Sequence, residues 1–333
     1  MTSQKPIASL SLDLDNKWSY MKTHGDSGWE TFPSYLDILI PRVLKFLEER
    51  KLTITFFVVG QDAALEKNQL FLKSLAAAGH EIGNHSFNHE PWLHLYSDQE
   101  IESELARAEA HIEQATGRKP IGFRGPGFSC SDATLRVLAR RGYKYDASTF
   151  PTFLGPLARA YYFMTTQLTS EEKAERKKLF GTLSDGLRSI RPYQWRIKTP
   201  DEVDTLIEIP VTTMPIFKAP FHVSYILYLS VYSTALALFY FRIVLKLCRL
   251  TGVQPSLLLH PLDFLGGDDV KELAFFPAMN LTGQQKLKIV DKIFKMYTNE
   301  FQVLTMQQHA QELAKTSSNF PIIEPNFSST QAR

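Results

Sequence analysis

The residues best suited to chemistry stand in two strings, each at the end of a strand-like run: Asp13-Leu14-Asp15 and His85-Ser86-Phe87-Asn88-His89. Two imidazoles and a carboxylate are enough donors for one divalent cation with coordination positions left open, and the second acid is then spare for proton transfer. An H-S-x-x-H string alone is weak, because nine histidines in 333 residues produce some H-x-x-x-H pair by chance about a quarter of the time. Three further strings add weight: Arg124-Gly125-Pro126-Gly127-Phe128-Ser129, Gly142-Tyr143-Lys144-Tyr145-Asp146 and Leu257-Leu258-Leu259-His260-Pro261. Each follows or closes a hydrophobic run. By residue type alone, Arg124 and Asp146 would more often be a structural ion pair and His260 a satisfied core histidine. His80, His94, His111, His222 and His309 fit no such string and read as ordinary structural histidines.

Short β-like runs alternate with segments of helical period, which is the pattern of an α/β fold with a largely parallel sheet. Strands are expected over 7–13, 53–59, 80–84, 120–124, 145–148, 206–210 and 256–260, with an eighth over 301–305. Helices are expected over 34–50, 66–78, 98–116, 132–141 and 282–298, several of them opened by Ser, Asp or Thr caps. The polar strings all lie at carboxyl ends of strands, where parallel barrels and sheets gather catalytic groups. Residues as distant as Asp15, His89 and His260 can therefore share one mouth.

Composition narrows the class. A net charge of +2 with no Lys/Arg block argues against a nucleic-acid partner. The two cysteines, Cys130 and Cys248, are far apart and form neither a disulfide framework nor a thiolate metal site, which favours a reducing compartment. A polar start running straight into the first strand leaves no room for a signal peptide, so a cytoplasmic protein is expected. One domain is expected over 1–315, and the Ser-, Asn- and Pro-rich stretch 316–333 reads as a flexible, dispensable tail.

The span 151–252 interrupts the rhythm as an insertion between the fifth and seventh strands. Its first part, 156–200, holds nine Lys/Arg against four acids, usually a solvated helix face. Its second part, 221–241, has no charged residue and, as a helix rising about 1.5 Å per residue, approaches a bilayer core in length. A single crossing is rejected because it would leave His260 across the bilayer from His85. As one helix, the segment gathers Tyr225, Tyr228, Tyr232 and Phe239 opposite Ser230, Ser233, Thr234 and Ala237. Either the aromatic face packs into the core, or it serves as a lid or a peripheral contact with the inner membrane surface.

These strings, in this order over roughly 7–304, resemble the polysaccharide deacetylases, the NodB-homology or carbohydrate esterase family 4 enzymes. The spaced acids of Asp13-Leu14-Asp15 resemble an intracellular D-x-D branch rather than the commoner adjacent pair. The resemblance implies a deformed barrel of about seven β/α units and a divalent metal, zinc first, with cobalt, iron or manganese as alternatives. It implies that Asp15, His85 and His89 bind the metal, that Asp13 is the general base held by Arg124, and that His260 is the general acid oriented by Asp146. The backbone N–H that stabilises the oxyanion would come from Gly127 or Phe128, since the usual aromatic of that motif is displaced by one here.

The resemblance thus implies a metal-dependent hydrolase that removes an acetyl or formyl group from an amino-sugar nitrogen. An intracellular enzyme has no access to mature wall polymer, so an N-acyl sugar linked to a lipid carrier is the expected partner, with the basic stretch and uncharged helix as its membrane contact. The alternatives are a soluble cyclic-imide or ureide amidohydrolase of the same fold and, from another class, a mononuclear non-haem iron enzyme built on the same two-histidine, one-carboxylate set.

Overall fold

A computed structural model describes residues 5–155, 183–198, 203–315 and 320–327. Seven parallel strands carry the site: β1 (Ile7–Asp13), β2 (Thr55–Val58), β3 (Glu81–Asn84), β4 (Gly122–Phe123), β5 (Tyr145–Asp146), β7 (Val203–Glu208) and β8 (Ser256–Leu259). Hydrogen bonding runs β7-β5-β4-β3-β2-β1-β8. The ring closes where Thr212, just past β7, donates its N–H to Ser256 O of β8 at 3.1 Å and its hydroxyl accepts the Ser256 N–H at 2.8 Å. That closure is brief, so the barrel is deformed, as expected. Each of the seven overlaps its expected run, with β7 starting three residues before the expected 206–210. The expected eighth run forms β9 (Gln302–Leu304), which pairs in parallel with the start of β1.

Alternation along each strand separates lumen from outer layer. Phe57, Tyr145, Ala147 and Ile209 fill the lumen. Leu10, Leu12, Leu257 and Leu259 face outward into the main core. Gly122 is required by this filling: a Cβ there would lie 1.9 Å from the Tyr145 ring. The lumen floor is closed by α9 (Met306–Lys315). Its first amides are answered from the barrel, Met306 N–H by Thr55 Oγ1 at 2.7 Å and Gln307 N–H by Glu81 Oε2 at 2.8 Å.

The outer helices are α1 (Lys17–His24), α2 (Leu36–Glu48), α3 (Gly60–Ala64), α4 (Glu66–Ala77), α5 (Asp98–Thr116), α6 (Asp132–Arg140), α7 (Val223–Thr251) and α8 (Gly283–Glu300). Side-chain oxygens of Ser97, Ser131 and Thr282 cap α5, α6 and α8, supplying acceptors that the first turns lack. The helices α1, α3 and α9 are not evident from sequence. The first two are short, and α9 carries its apolar residues in too few turns to stand out.

Three corrections concern the insertion and the tail. The basic part contains a strand, β6 (Tyr193–Lys198), antiparallel to β7. Tyr193, Trp195 and Ile197 are buried while Arg196 and Lys198 point outward, so a strict two-residue alternation lies beneath the charges. Residues 156–182, most of the rest of that basic part, lie outside the described residues. Of the expected flexible tail 316–333, residues 316–319 and 328–333 lie outside the described residues, while Ile322–Ile323 form an edge strand, β10, parallel to β6, because the exposed edge of β6 offers free backbone groups. Finally, α7 buries Ile226, Leu227, Phe241, Val244, Leu245 and Cys248, while Tyr232 and Phe239 are exposed. The aromatic face therefore does not pack into the core. By length and composition alone α7 could cross a membrane, but it is not one straight rod. It breaks at Ser233 and folds back, so that Tyr240 donates its hydroxyl to Pro220 O at 2.8 Å and the Phe221 and Phe241 rings lie 6.0 Å apart, and its buried face belongs to the barrel's outer layer.

Candidate metal centre

Ser11 and Asp13 share the lumen side of β1 through two-residue alternation, and Asp15 stands two residues beyond Asp13. The Asp15 carbonyl accepts the Tyr35 hydroxyl, which pins the chain after the strand. The loop after β3 then folds back. Ser86 (φ 60°) and His89 (φ 52°) adopt left-handed backbone conformations that few side chains accept. Glu104 of α5 offsets the strain of this turn by accepting the N–H groups of Phe87 (3.1 Å) and Asn88 (2.9 Å). The result brings one oxygen of Asp15 within 2.9 Å of His89 Nε2 and 3.3 Å of His85 Nε2.

These ligand atoms lie within 4.8 Å of one another, and all three residues are buried. His85 Nδ1 lies 2.6 Å from the Arg124 carbonyl, which can only accept, so Nδ1 carries a proton and Nε2 is the nitrogen that faces Asp15 and would ligate a cation once deprotonated. Burial alone would raise the Asp15 carboxyl, but His89 and then His85 hold it well below the usual carboxylate range. Burial works against charge on His85, yet Asp13 and Asp15 raise it. Two imidazole nitrogens and one ionised carboxylate converging in a largely buried pocket are the donor chemistry of a three-ligand zinc-type site. The residues fit such an ion.

Arg124 is completely buried at the end of β4 and faces the lumen. Its guanidinium donates to Asp13 Oδ1 at 2.6 Å, Ser11 Oγ at 2.8 Å and Ala147 O at 3.0 Å. It also lies over the Phe57 ring. The following turn holds Gly127 at φ 58° and Phe128 at φ 61°. A Cβ on Gly127 would come 3.2 Å from Pro91 Cβ. Phe128 N–H donates to Gly125 O at 3.0 Å, whereas Gly127 N–H has no backbone acceptor among the described residues. Of the two amides expected to serve the oxyanion, that of Phe128 is thus already engaged in a backbone hydrogen bond.

His260 follows β8. Register pairs Leu12 with Leu259, so Asp13 and His260 come next on adjacent strands. His260 Nδ1 lies 3.0 Å from Ser224 Oγ, and its N–H donates to Asp263 Oδ2 at 2.8 Å. Asp146, expected to orient His260, is elsewhere. Tyr145 and Ala147 take the lumen side of β5, so Asp146 points into the outer layer. There it stands in register with Glu208 of β7. It also accepts the Ser148 hydroxyl and the Cys130 thiol. Burial and then Glu208 raise its carboxyl well above the usual range. Asp146 acts on the site at one remove, since the Ser148 hydroxyl also accepts Gly125 N–H at 2.8 Å and so anchors the Arg124 turn.

Sequence reasoning missed several neighbours. Ser224 and Asp263 hold His260, and Glu104 holds the histidine loop. Glu104 could have been found, as an acid inside the apolar stripe Ile101, Leu105, Ala108 and Ile112. His222, which fits none of the polar strings, has its ring 6.0 Å from that of His260 and 5.8 Å from Phe150. Its proton affinity is pushed down to about 3, first by burial and then by His260. Phe150 in turn lies 4.8 Å from Phe128, so an aromatic wall joins the Gly127 turn to His260.

The sequence profile of the polysaccharide deacetylases matches residues 23–145, a span that contains His85, His89 and Arg124 but not the acids of β1 or His260. A peptidoglycan deacetylase of Helicobacter pylori is 33% identical over 43% of this chain and 49% of its own length. A peptidoglycan-N-acetylglucosamine deacetylase of Bacillus cereus is 32% identical over 42% of this chain and 61% of its own length. The chain thus spans about half the length of the curated relatives it matches. A solved Mycobacterium smegmatis structure assigned to the polysaccharide deacetylases covers 100% of this chain and 97% of its own, with TM-score 0.62 and 19% identity, and so shares the fold.

Proposed function

Because this chain belongs, through residues 23–145, to the polysaccharide deacetylase family, we propose that it is a metal-dependent hydrolase removing an N-acyl group from an amino sugar. The observation that carries this reading is the convergence of Asp15, His85 and His89 on one point beside Asp13, a carboxylate held by Arg124 rather than by the triad. A divalent cation held by those three side chains supplies a Lewis acid for the amide carbonyl and for water. The chain's own residues supply the rest. Asp13 takes a proton from the attacking water, with Arg124 fixing its carboxylate. Gly127 N–H donates to the carbonyl oxygen as it gains charge. His260, positioned by Ser224, gives a proton to the departing nitrogen, so the acyl group leaves as a carboxylic acid and the sugar as a free amine.

Zinc suits the two-imidazole, one-carboxylate set, and acetyl is the acyl group named for the relatives. The finer reading is that the sugar is carried on a lipid. It is supported by α7, whose Ser224 touches His260 at one end and whose remainder exposes large apolar side chains. Metal analysis, coupled to acetate or formate release from free and lipid-linked N-acyl sugars, tests both readings. Purified protein that binds no divalent ion and releases no acid from any N-acyl sugar overturns the first. Turnover confined to free sugars overturns the second.

A further inference from the structure

We propose that α7 carries a docking surface for an anionic phospholipid bilayer, formed by Tyr232, Leu236, Phe239, Ile243 and Leu250 with Arg242 and Lys246 alongside. Solvent reaches 75% of Tyr232, 69% of Leu236, 58% of Phe239, 37% of Ile243 and 83% of Leu250. At 100° per residue, Leu236, Phe239, Ile243 and Leu250 fall within roughly a sixth of the helix circumference. They run about 21 Å along it at 1.5 Å per residue. Ala237, Phe241, Val244, Leu245 and Cys248 occupy the opposite side and are buried against the barrel. Tyr232 precedes a break at Ser233 (φ −161°, ψ 108°) where the helix reverses, since the Tyr240 ring lies 6.4 Å from that of Tyr225, so the strip begins at the tip of the resulting hairpin and runs back past the first half. A helix two-faced in this way, apolar on both sides, has water on a surface that soluble proteins ordinarily keep polar.

Charge decides the occupant. Arg242 and Lys246 are exposed on one flank of the strip, and α7 contains no Asp or Glu. Apolar side chains that enter the acyl boundary, bordered by cations at headgroup level, match an anionic leaflet, whose negative surface attracts each such cation. A second copy of this chain meeting the same face would bring two cationic flanks together with no carboxylate on either helix to answer them.

The surface deepens the catalytic reading and rests on it only for what is delivered. Ser224, which holds His260, lies eight residues before Tyr232 on α7, about 12 Å at helical rise. A sugar on a lipid carrier anchored beside the strip would therefore find the site's mouth within reach.

The test is sedimentation of the full chain with neutral phosphatidylcholine vesicles and with vesicles containing one quarter phosphatidylglycerol. Binding to the anionic vesicles is expected to be at least tenfold tighter and to weaken with salt. Combining Leu236→Ser, Phe239→Ser and Ile243→Asn is expected to reduce it at least tenfold. Combining Arg242→Gln with Lys246→Gln is expected to abolish the preference for phosphatidylglycerol. Wild type that fails to pellet with anionic vesicles overturns the proposal. So does a triple variant that pellets like wild type. A concentration-dependent dimer, absent in the triple variant and unaccompanied by vesicle binding, assigns the strip to a second copy instead and also overturns it. Metal content and deacetylation of soluble N-acetyl chitooligosaccharides, measured on the same samples, should not change in these variants. Loss of the surface and loss of the catalytic reading are thus separately visible.

Discussion

Replacing Asp13 by Asn probes the division of labour at the centre, because it removes a proton acceptor while keeping shape. Asp13 lies 2.6 Å from an Arg124 nitrogen inside a network that also takes in Ser11 and Ala147. Asn retains one acceptor oxygen for Arg124, so a charge-assisted bond becomes a neutral one. The cost should be about 0.5–2 kcal/mol of stability, the difference between bonds worth about 1.5–3 and about 1 kcal/mol. Asp13→Ala would instead strand a buried guanidinium and cost about 3–5 kcal/mol. The ligands Asp15, His85 and His89 are untouched in both variants, so bound metal should stay stoichiometric. Loss of a positioned base lowers turnover about 10²–10⁴-fold, equivalent to about 3–5 kcal/mol of barrier. The assay is acetate release from N-acetyl chitooligosaccharides, alongside metal analysis and thermal unfolding of the same preparation. Full metal with near-native turnover in Asp13→Asn would remove Asp13 as base. Loss of metal in parallel with activity would make it a support for the ligands instead.

The other predictions address metal, acid and pH. Chelation should abolish acetate release and zinc restore it, and Asp15→Ala should not recover at any zinc concentration that restores the wild type. Ser224→Ala removes the hydroxyl beside the His260 ring while Asp263 still holds its backbone, and should lower kcat about fivefold to tenfold, the worth of one neutral hydrogen bond, with KM unchanged. Asp62 is a buried acid pushed up to about 7, chiefly by desolvation, whose Oδ1 accepts from Asn16, Trp18 and Asn68. Its folded affinity for a proton exceeds its unfolded one, so the stability it contributes is present below about pH 4 and lost as pH rises toward 7, by up to about 4 kcal/mol. Asp62→Asn mimics the protonated acid, and urea unfolding across that range should show a flatter slope; an unchanged slope refutes the assignment. Glu208→Gln removes the in-register acid that helps burial raise the Asp146 carboxyl, and should likewise flatten the loss of stability with rising pH in urea unfolding; an unchanged slope refutes it.

Much of this was legible in the chain itself. The seven barrel strands, the triad Asp15, His85 and His89, and the pairing of Arg124 with Asp13 follow from local alternation, from motif resemblance and from the habit of parallel barrels to place chemistry at strand ends. Strand β6 was hidden because charges on its outward positions masked its apolar alternation. Asp146 was misassigned because nearness among strand ends does not give direction: Tyr145 and Ala147 already occupied the lumen side of β5, which could have been read from alternation. The partners of His260 were beyond reach, since Ser224 and Asp263 matter only through where α7 and the turn after β8 come to rest.

A period of two residues or 3.6 is written in the sequence, and so are the donor types a metal needs, because both depend on neighbours along the chain. The availability of Gly127 N–H over Phe128 N–H, the solvent exposure of Phe239 against the burial of Phe241, and the turning of Asp146 toward Glu208 arise from contacts between segments far apart in sequence. Those were decided only when the barrel closed and fixed which side of each element was already filled.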